Sequence, residues 1–70
     1  MVYFIKNKEE NLVKIGYSCN PEQRLKNLIY EHKKPFELHK IIDGDTKVES
    51  YFHKKHKDYH VKGEWFKSDL

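Results

Sequence analysis

Val2-Tyr3-Phe4-Ile5-Lys6-Asn7-Lys8-Glu9-Glu10-Asn11-Leu12-Val13-Lys14-Ile15-Gly16-Tyr17 is the stretch whose reading decides the fold of this chain. Residues 2–5 and 13–17 are β-branched and aromatic, and the polar run 6–11 separates them, which predicts a β-hairpin. Side chains alternate between faces along a strand, and directly opposed residues share a face. With Tyr3 placed opposite Lys14, Phe4 faces Val13 and Val2 faces Ile15. Val2, Phe4, Val13 and Ile15 then make one apolar face. Tyr3 and Lys14 share the other face with Ile5, Leu12 and Gly16, so a phenol and an amine fall on one side of the hairpin.

A helix start follows. Asn20 is placed to cap it, Pro21 suits the first helical position, and Gln23 stands where a capping-box partner would. Leu25, Leu28 and Ile29 form its apolar stripe, with Arg24 alongside, and the helix should end before Pro35, near His32 or Lys33. Residues 36–42 read as a third strand with Phe36, Leu38 and Ile42 on one side, and Asp43-Gly44-Asp45 as a turn. Thr46-Lys47-Val48-Glu49 fits a capping box, so a second helix should begin there and run to about Tyr59. Gly63-Glu64-Trp65-Phe66 is expected as a short extended or turn segment closing the core. The resulting architecture is an α+β fold, a small three-stranded antiparallel sheet flanked by helices in the order β-β-α-β-α.

Size and composition bound what such a fold can be. Seventy residues make a single domain spanning 1–70, and a chain of this size buries only ~60% of the surface its unfolded form exposes. Five Tyr, four Phe and one Trp partly offset that thin core. No apolar run approaches the ~20 residues needed to cross a membrane, and no signal peptide is visible. A single cysteine, Cys19, rules out an internal disulfide framework and suits a reducing, cytoplasmic setting. The net charge of +3 permits attraction to a phosphate backbone without demanding it. Lys47, Lys54, Lys55, Lys57 and Lys62 crowd the C-terminal third, a pattern that a solvated helix face also explains.

In their order along the chain these pieces resemble the GIY-YIG nuclease superfamily, in particular a small bacteriophage and bacterial branch called the meiotically up-regulated gene type. Val2-Tyr3-Phe4 and Lys14-Ile15-Gly16 are similar to the two eponymous motifs, with Val2 in place of the first glycine and Lys14 in place of the second tyrosine. Ile15-Gly16-Tyr17-Ser18, Asn20-Pro21 and Arg24-Leu25 look like the branch's link from strand to helix. Glu49 followed by Phe52-His53 resembles its E-x-x-L-H element, and Gly63-Glu64-Trp65-Phe66 its closing G-E-W-F.

The resemblance implies a metal-dependent DNA endonuclease or nickase in a bacterial or phage-infected cell. It implies that Tyr3 activates the attacking water with Lys14 assisting, that Arg24 grips the phosphate, and that Glu49 holds one Mg²⁺ or Mn²⁺. Tyr17 and His53 are supporting or nucleic-acid-binding candidates. Each has a plainer reading beside it. Tyr3 can be a strand aromatic covering an outer face. Arg24, the only arginine in the chain, can pair with Glu22 or Glu31. Glu49 can be the capping-box partner of Thr46. Tyr17 can be core. His53, His56 and His60 share a helical stripe, but no second ligand pair at convincing spacing supports zinc.

One such site cuts one strand, so a double-strand break needs two protomers, as in a homodimer, or two visits. No recognition element is visible, so target choice is weak or comes from a partner protein. Two other classes stay open at this point: a catalytically inactive nucleic-acid-binding module of the same fold, and a small protein-interaction domain.

Overall fold

A computed structural model describes residues 1–68 of the chain. The elements are β1 (Val2–Asn7), β2 (Leu12–Tyr17), α1 (Pro21–His32), β3 (Phe36–Ile42), α2 (Thr46–Lys55), a 3-10 turn (Lys57–Tyr59), β4 (His60–Lys62) and β5 (Trp65–Lys67). The strands form one antiparallel sheet in the order β3-β1-β2-β5-β4. The α+β class and the flanking helices are as expected, but the sheet has five strands rather than three. The tail that read as a loose closing segment is a second hairpin, β4–β5, which pairs with β2.

β1 has a partner strand on both sides and a helix over each face, and Val2, Tyr3, Phe4 and Ile5 are all buried. On one face Val2, Phe4, Val13, Ile15 and Phe66 pack under Val48 and Phe52 of α2. Phe4 and Phe52 meet edge-on at 5.3 Å. On the other face Tyr3, Ile5 and Phe36 pack with Leu25 and Leu28 of α1 and with Trp65. Two thin cores thus share one sheet, which is how so short a chain covers both of its faces.

The hairpin register differs from the expectation. Tyr3 lies opposite Gly16, and Lys14 opposite Ile5. A shift of two residues preserves parity, so every residue keeps its predicted face. The cause is the loop. Asn7 Oδ1 accepts hydrogen bonds from the Glu9 and Glu10 amides (3.1 and 3.3 Å), and Asn11 takes a left-handed conformation with φ 55°. These hold a tight turn and lengthen both strands beyond the predicted ones.

Asn20 caps α1 through the Gln23 amide, and Lys33 ends the helix in a left-handed conformation. The Gln23 side chain bonds Asn27 instead of completing a capping box. In β3, Leu38 pairs with Ile5 while Lys40 pairs with Phe4, so His39 is an extra residue. This bulge reverses the alternation. Phe36 and Leu38 therefore serve the α1 face while Ile42 serves the α2 face, against the expectation of one shared side. α2 stops at Lys55, short of the predicted Tyr59, and a 3-10 turn carries the chain into β4.

Candidate active site at the open edge of a strand

β5 pairs with β2 only from Leu12 to Lys14, so the β2 edge beyond Lys14 has no strand beside it. The groups on that edge are met by other means. The Ile15 amide donates to the Glu64 carbonyl at 3.0 Å, and His53 Nε2 donates to the Ile15 carbonyl at 2.9 Å. Residues from opposite faces of the sheet meet around this edge.

From the α1 face come Tyr3 and Arg24. Tyr3 is 2% exposed and its ring lies across Gly16. A Cβ at position 16 would run into the Tyr3 ring and hydroxyl, so the glycine is what lets the phenol cross β2. Burial raises the Tyr3 pKa above the usual phenol value. The Glu64 and Glu49 charges push the same way, while Arg24 opposes them through a hydrogen bond and its charge. Arg24, Glu64 and Glu49 therefore all lie within electrostatic reach of the Tyr3 hydroxyl. Lys14, also on this face, is largely buried, pairs with Glu64 at 3.2 Å and sits 5.5 Å over the Trp65 ring.

From the α2 face come Glu49 and His53, one helical turn apart. The helix cap is Asp45, whose side chain accepts from the Lys47 and Val48 amides (3.0 and 3.3 Å). Thr46 is not the cap, so the capping-box reading of Glu49 is overturned and its carboxylate is free for other work. Burial raises the Glu49 pKa first of all. A hydrogen bond with Glu64 and that group's charge raise it further, against the lowering pull of His53 and Lys14. Two carboxyl groups this close share a proton or a cation between them.

Glu64 is the residue the sequence reading passed over. Gly63, at φ 55°, makes the two-residue turn between β4 and β5 and places Glu64 among Lys14, Glu49 and His53. Its only sequence signal was membership of the closing Gly63-Glu64-Trp65-Phe66 run. One donor atom each from Glu49, His53 and Glu64 lies within 4.8 Å of the others. Ligands of one ion at ~2.1 Å stand at most ~4.2 Å apart, so a small inward movement would let this set hold a divalent metal. Because a carbonyl only accepts, His53 must carry its proton on Nε2, which leaves the Nδ1 lone pair available.

Tyr17 stands apart from this group. It is 39% exposed, and its pKa is raised chiefly by Cys19, with a smaller contribution from the helix-capping Asp45. His56 and His60 do not join His53: His56 stacks on Phe52, and His60 bonds the Gly63 carbonyl.

The geometry defines a class: a small α+β domain whose sheet edge gathers a tyrosine–arginine pair and a Glu-His-Glu set. Over residues 1–70 the chain matches the T5orf172 domain, and it belongs to that family. Along 65 residues, 86% of this chain, it is 38% identical to the putative KilA-N domain-containing protein 315L of Invertebrate iridescent virus 6. The chain spans 28% of that relative's length. No solved structure matches it. No helix among the described residues is long and apolar enough to cross a membrane.

Proposed function

We propose that this domain is a metal-dependent, GIY-YIG-like nuclease that hydrolyses phosphodiester bonds in DNA. The observation that carries the reading is Glu49. Asp45 has relieved it of capping, and it stands with His53 and Glu64 within 4.8 Å, beside the Tyr3–Arg24 pair. Membership of the T5orf172 family and a viral relative bearing a KilA-N domain support a nucleic acid as the partner. The motif resemblance supports the nuclease chemistry.

Glu49, Glu64 and His53 would hold Mg²⁺ or Mn²⁺, which when bound polarises the phosphoryl oxygen and stabilises the leaving 3′ oxygen. Arg24 grips non-bridging oxygens with its planar fork and offsets the charge that builds in the transition state. Because burial keeps Tyr3 protonated at neutral pH, its hydroxyl orients the attacking water and relays a proton toward Glu64, rather than standing as a phenolate. Lys14, held by Glu64, keeps positive charge beside the relay. With one such site per domain, the product of a single visit is a nick, and a double-strand break requires a second protomer or a second visit.

The test is nicking of supercoiled plasmid in Mg²⁺ or Mn²⁺. Wild type should nick and EDTA should stop it. Glu49→Ala, with its fold checked by circular dichroism, should slow the reaction about 10²–10³-fold, the scale of losing one charge-stabilising group. A wild-type protein that binds DNA in salt-dependent fashion but never nicks in either metal refutes the enzyme and leaves an inert binding module of the same fold.

A further inference from the structure

We infer that the cleft at the hairpin end of the sheet receives an unpaired nucleobase from the strand whose phosphate lies at the Tyr3–Glu49 site. The cleft measures about 290 Å³ and lies on the α1 face. That is at the lower end of the ~300–1,000 Å³ usual for small-ligand clefts, so it suits one planar group and not a duplex.

Its walls are aromatic. Phe36 and Trp65 stand 5.5 Å apart at 44°, and the His32 ring lies 5.9 Å from Phe36. Stacking on such surfaces accepts any base, because every base has a π-face. Asn7 also lines the cleft, and its carbonyl oxygen is already spent on the Glu9 and Glu10 amides. What it can offer a ligand is its NH₂ group, a donor for an acceptor on a base edge.

Glu10, Lys34 and Lys62 line the cleft, so its charge is balanced except at Lys62, and that cation is what favours a nucleic acid over an apolar peptide side chain. Glu9 and Glu10 hold Lys34 at 3.4 and 3.6 Å, whereas no carboxylate among the described residues pairs with Lys62. Lys62 is thus the cation left to meet a phosphate flanking the bound base. Trp65 joins the two regions, since the ring that lines the cleft also lies under Lys14, and its neighbour Glu64 belongs to the candidate metal set. A strand crossing Trp65 would place a phosphate at one end of this path and a base at the other. Bases inside a duplex are not free to enter, so the substrate class is DNA with a single-stranded segment beside the cut.

This inference takes its substrate from the nuclease reading, but the test is independent of cleavage. Trp65 is the chain's only tryptophan, so its emission reports on the cleft wall and its Lys14 side, and the abasic strand separates base entry from phosphate contact. Wild-type protein in EDTA is titrated with a short single-stranded oligodeoxynucleotide, with an abasic oligomer of equal length, and with the matching duplex. The base-bearing single strand should quench Trp65 and bind at least about fivefold more tightly than the abasic strand, the lower bound of one stacking contact. Lys62→Glu should weaken that binding further. Equal affinity for the abasic strand, equal quenching by the duplex, or no quenching by any of the three overturns the inference. Plasmid nicking without base-dependent quenching sinks this cleft assignment alone, and quenching without nicking sinks the nuclease reading alone.

Discussion

Gly16→Ala offers a sharp test of how Tyr3 is seated. Gly16 does not adopt a positive φ, since Gly63 is the glycine that does, so an alanine fits its backbone. Taken alone, the exchange should stabilise the chain by ~0.4–1 kcal/mol, because alanine restricts the unfolded state. The added Cβ, however, would overlap the Tyr3 ring and hydroxyl, and Tyr3 is almost wholly buried. Overpacking of this kind costs ~1–3 kcal/mol. The difference between the two effects is a net loss of about 0–2.6 kcal/mol. In a domain of this size, 1 kcal/mol moves Tm by roughly 4–8 °C.

The assay is a double-mutant cycle by urea unfolding. In a Tyr3→Leu background the obstructing ring is gone, so Gly16→Ala should become neutral or mildly stabilising. The coupling between the two positions should therefore approach the full overpacking term of ~1–3 kcal/mol. Equal cost in both backgrounds, or stabilisation of the wild-type chain, would show that the phenol does not cross Gly16.

Two more outcomes follow from the cap and from the phenol. Asp45→Ala should destabilise the domain by ~0.5–2 kcal/mol while Thr46→Ala leaves it nearly unchanged, as measured by thermal melts; the reverse order would restore Thr46 as the cap and Glu49 as its partner. For Tyr3 the folded pKa is raised, so its contribution to stability is complete below the unfolded value of ~10 and is lost as pH rises through the folded one. Urea midpoints of wild type should thus fall faster than those of Tyr3→Phe above about pH 10; parallel curves would contradict the burial of the hydroxyl.

The strongest local signals carried most of the fold. Asn20-Pro21 marks the start of α1 because capping is decided within one turn, and the alternation of residues 2–5 and 13–17 places each side chain on its face for any loop that shifts the register by an even number. What escaped depends on distant partners. β4 and β5 are three residues each, and exposed β4 has no periodicity to show. They are strands because β2 offers an edge, which no local pattern reveals. The His39 bulge likewise comes from the pairing of β3 with β1.

At the site, Tyr3, Lys14, Arg24 and Glu49 were nameable from ordered motifs; Tyr3 feels the charges of Arg24 and Glu49, and Glu49 that of Lys14. Thr46 looked like a cap, but Asp45 stands one residue earlier. A carboxylate bonding two amides at a helix N-terminus gains from the dipole as well, which a hydroxyl cannot match. Glu64 gave no signal beyond the closing Gly63-Glu64-Trp65-Phe66 run, since its place among the other groups exists only once β5 has docked.

The position of the site on the sheet has its own physical logic. Both faces of the sheet are committed to thin cores, so a polar constellation has no interior to occupy. The edge of β2 beyond Lys14 is one place left open, as are the outer edges of β3 and β4, and a bare strand edge invites pairing with another chain. Here the candidate catalytic parts close that edge. The Glu64 backbone accepts from the Ile15 amide, and the His53 ring donates to the Ile15 carbonyl. Losing the His53 bond would leave a buried carbonyl unmet, at a cost of about 1–3 kcal/mol. His53 and Glu64 therefore protect the edge with one atom each, and under the proposed function each would offer a metal donor with another. The same contacts that cover the β2 edge hold His53 and Glu64 close to Glu49. In a domain this small, the edge and the site are one solution to two problems.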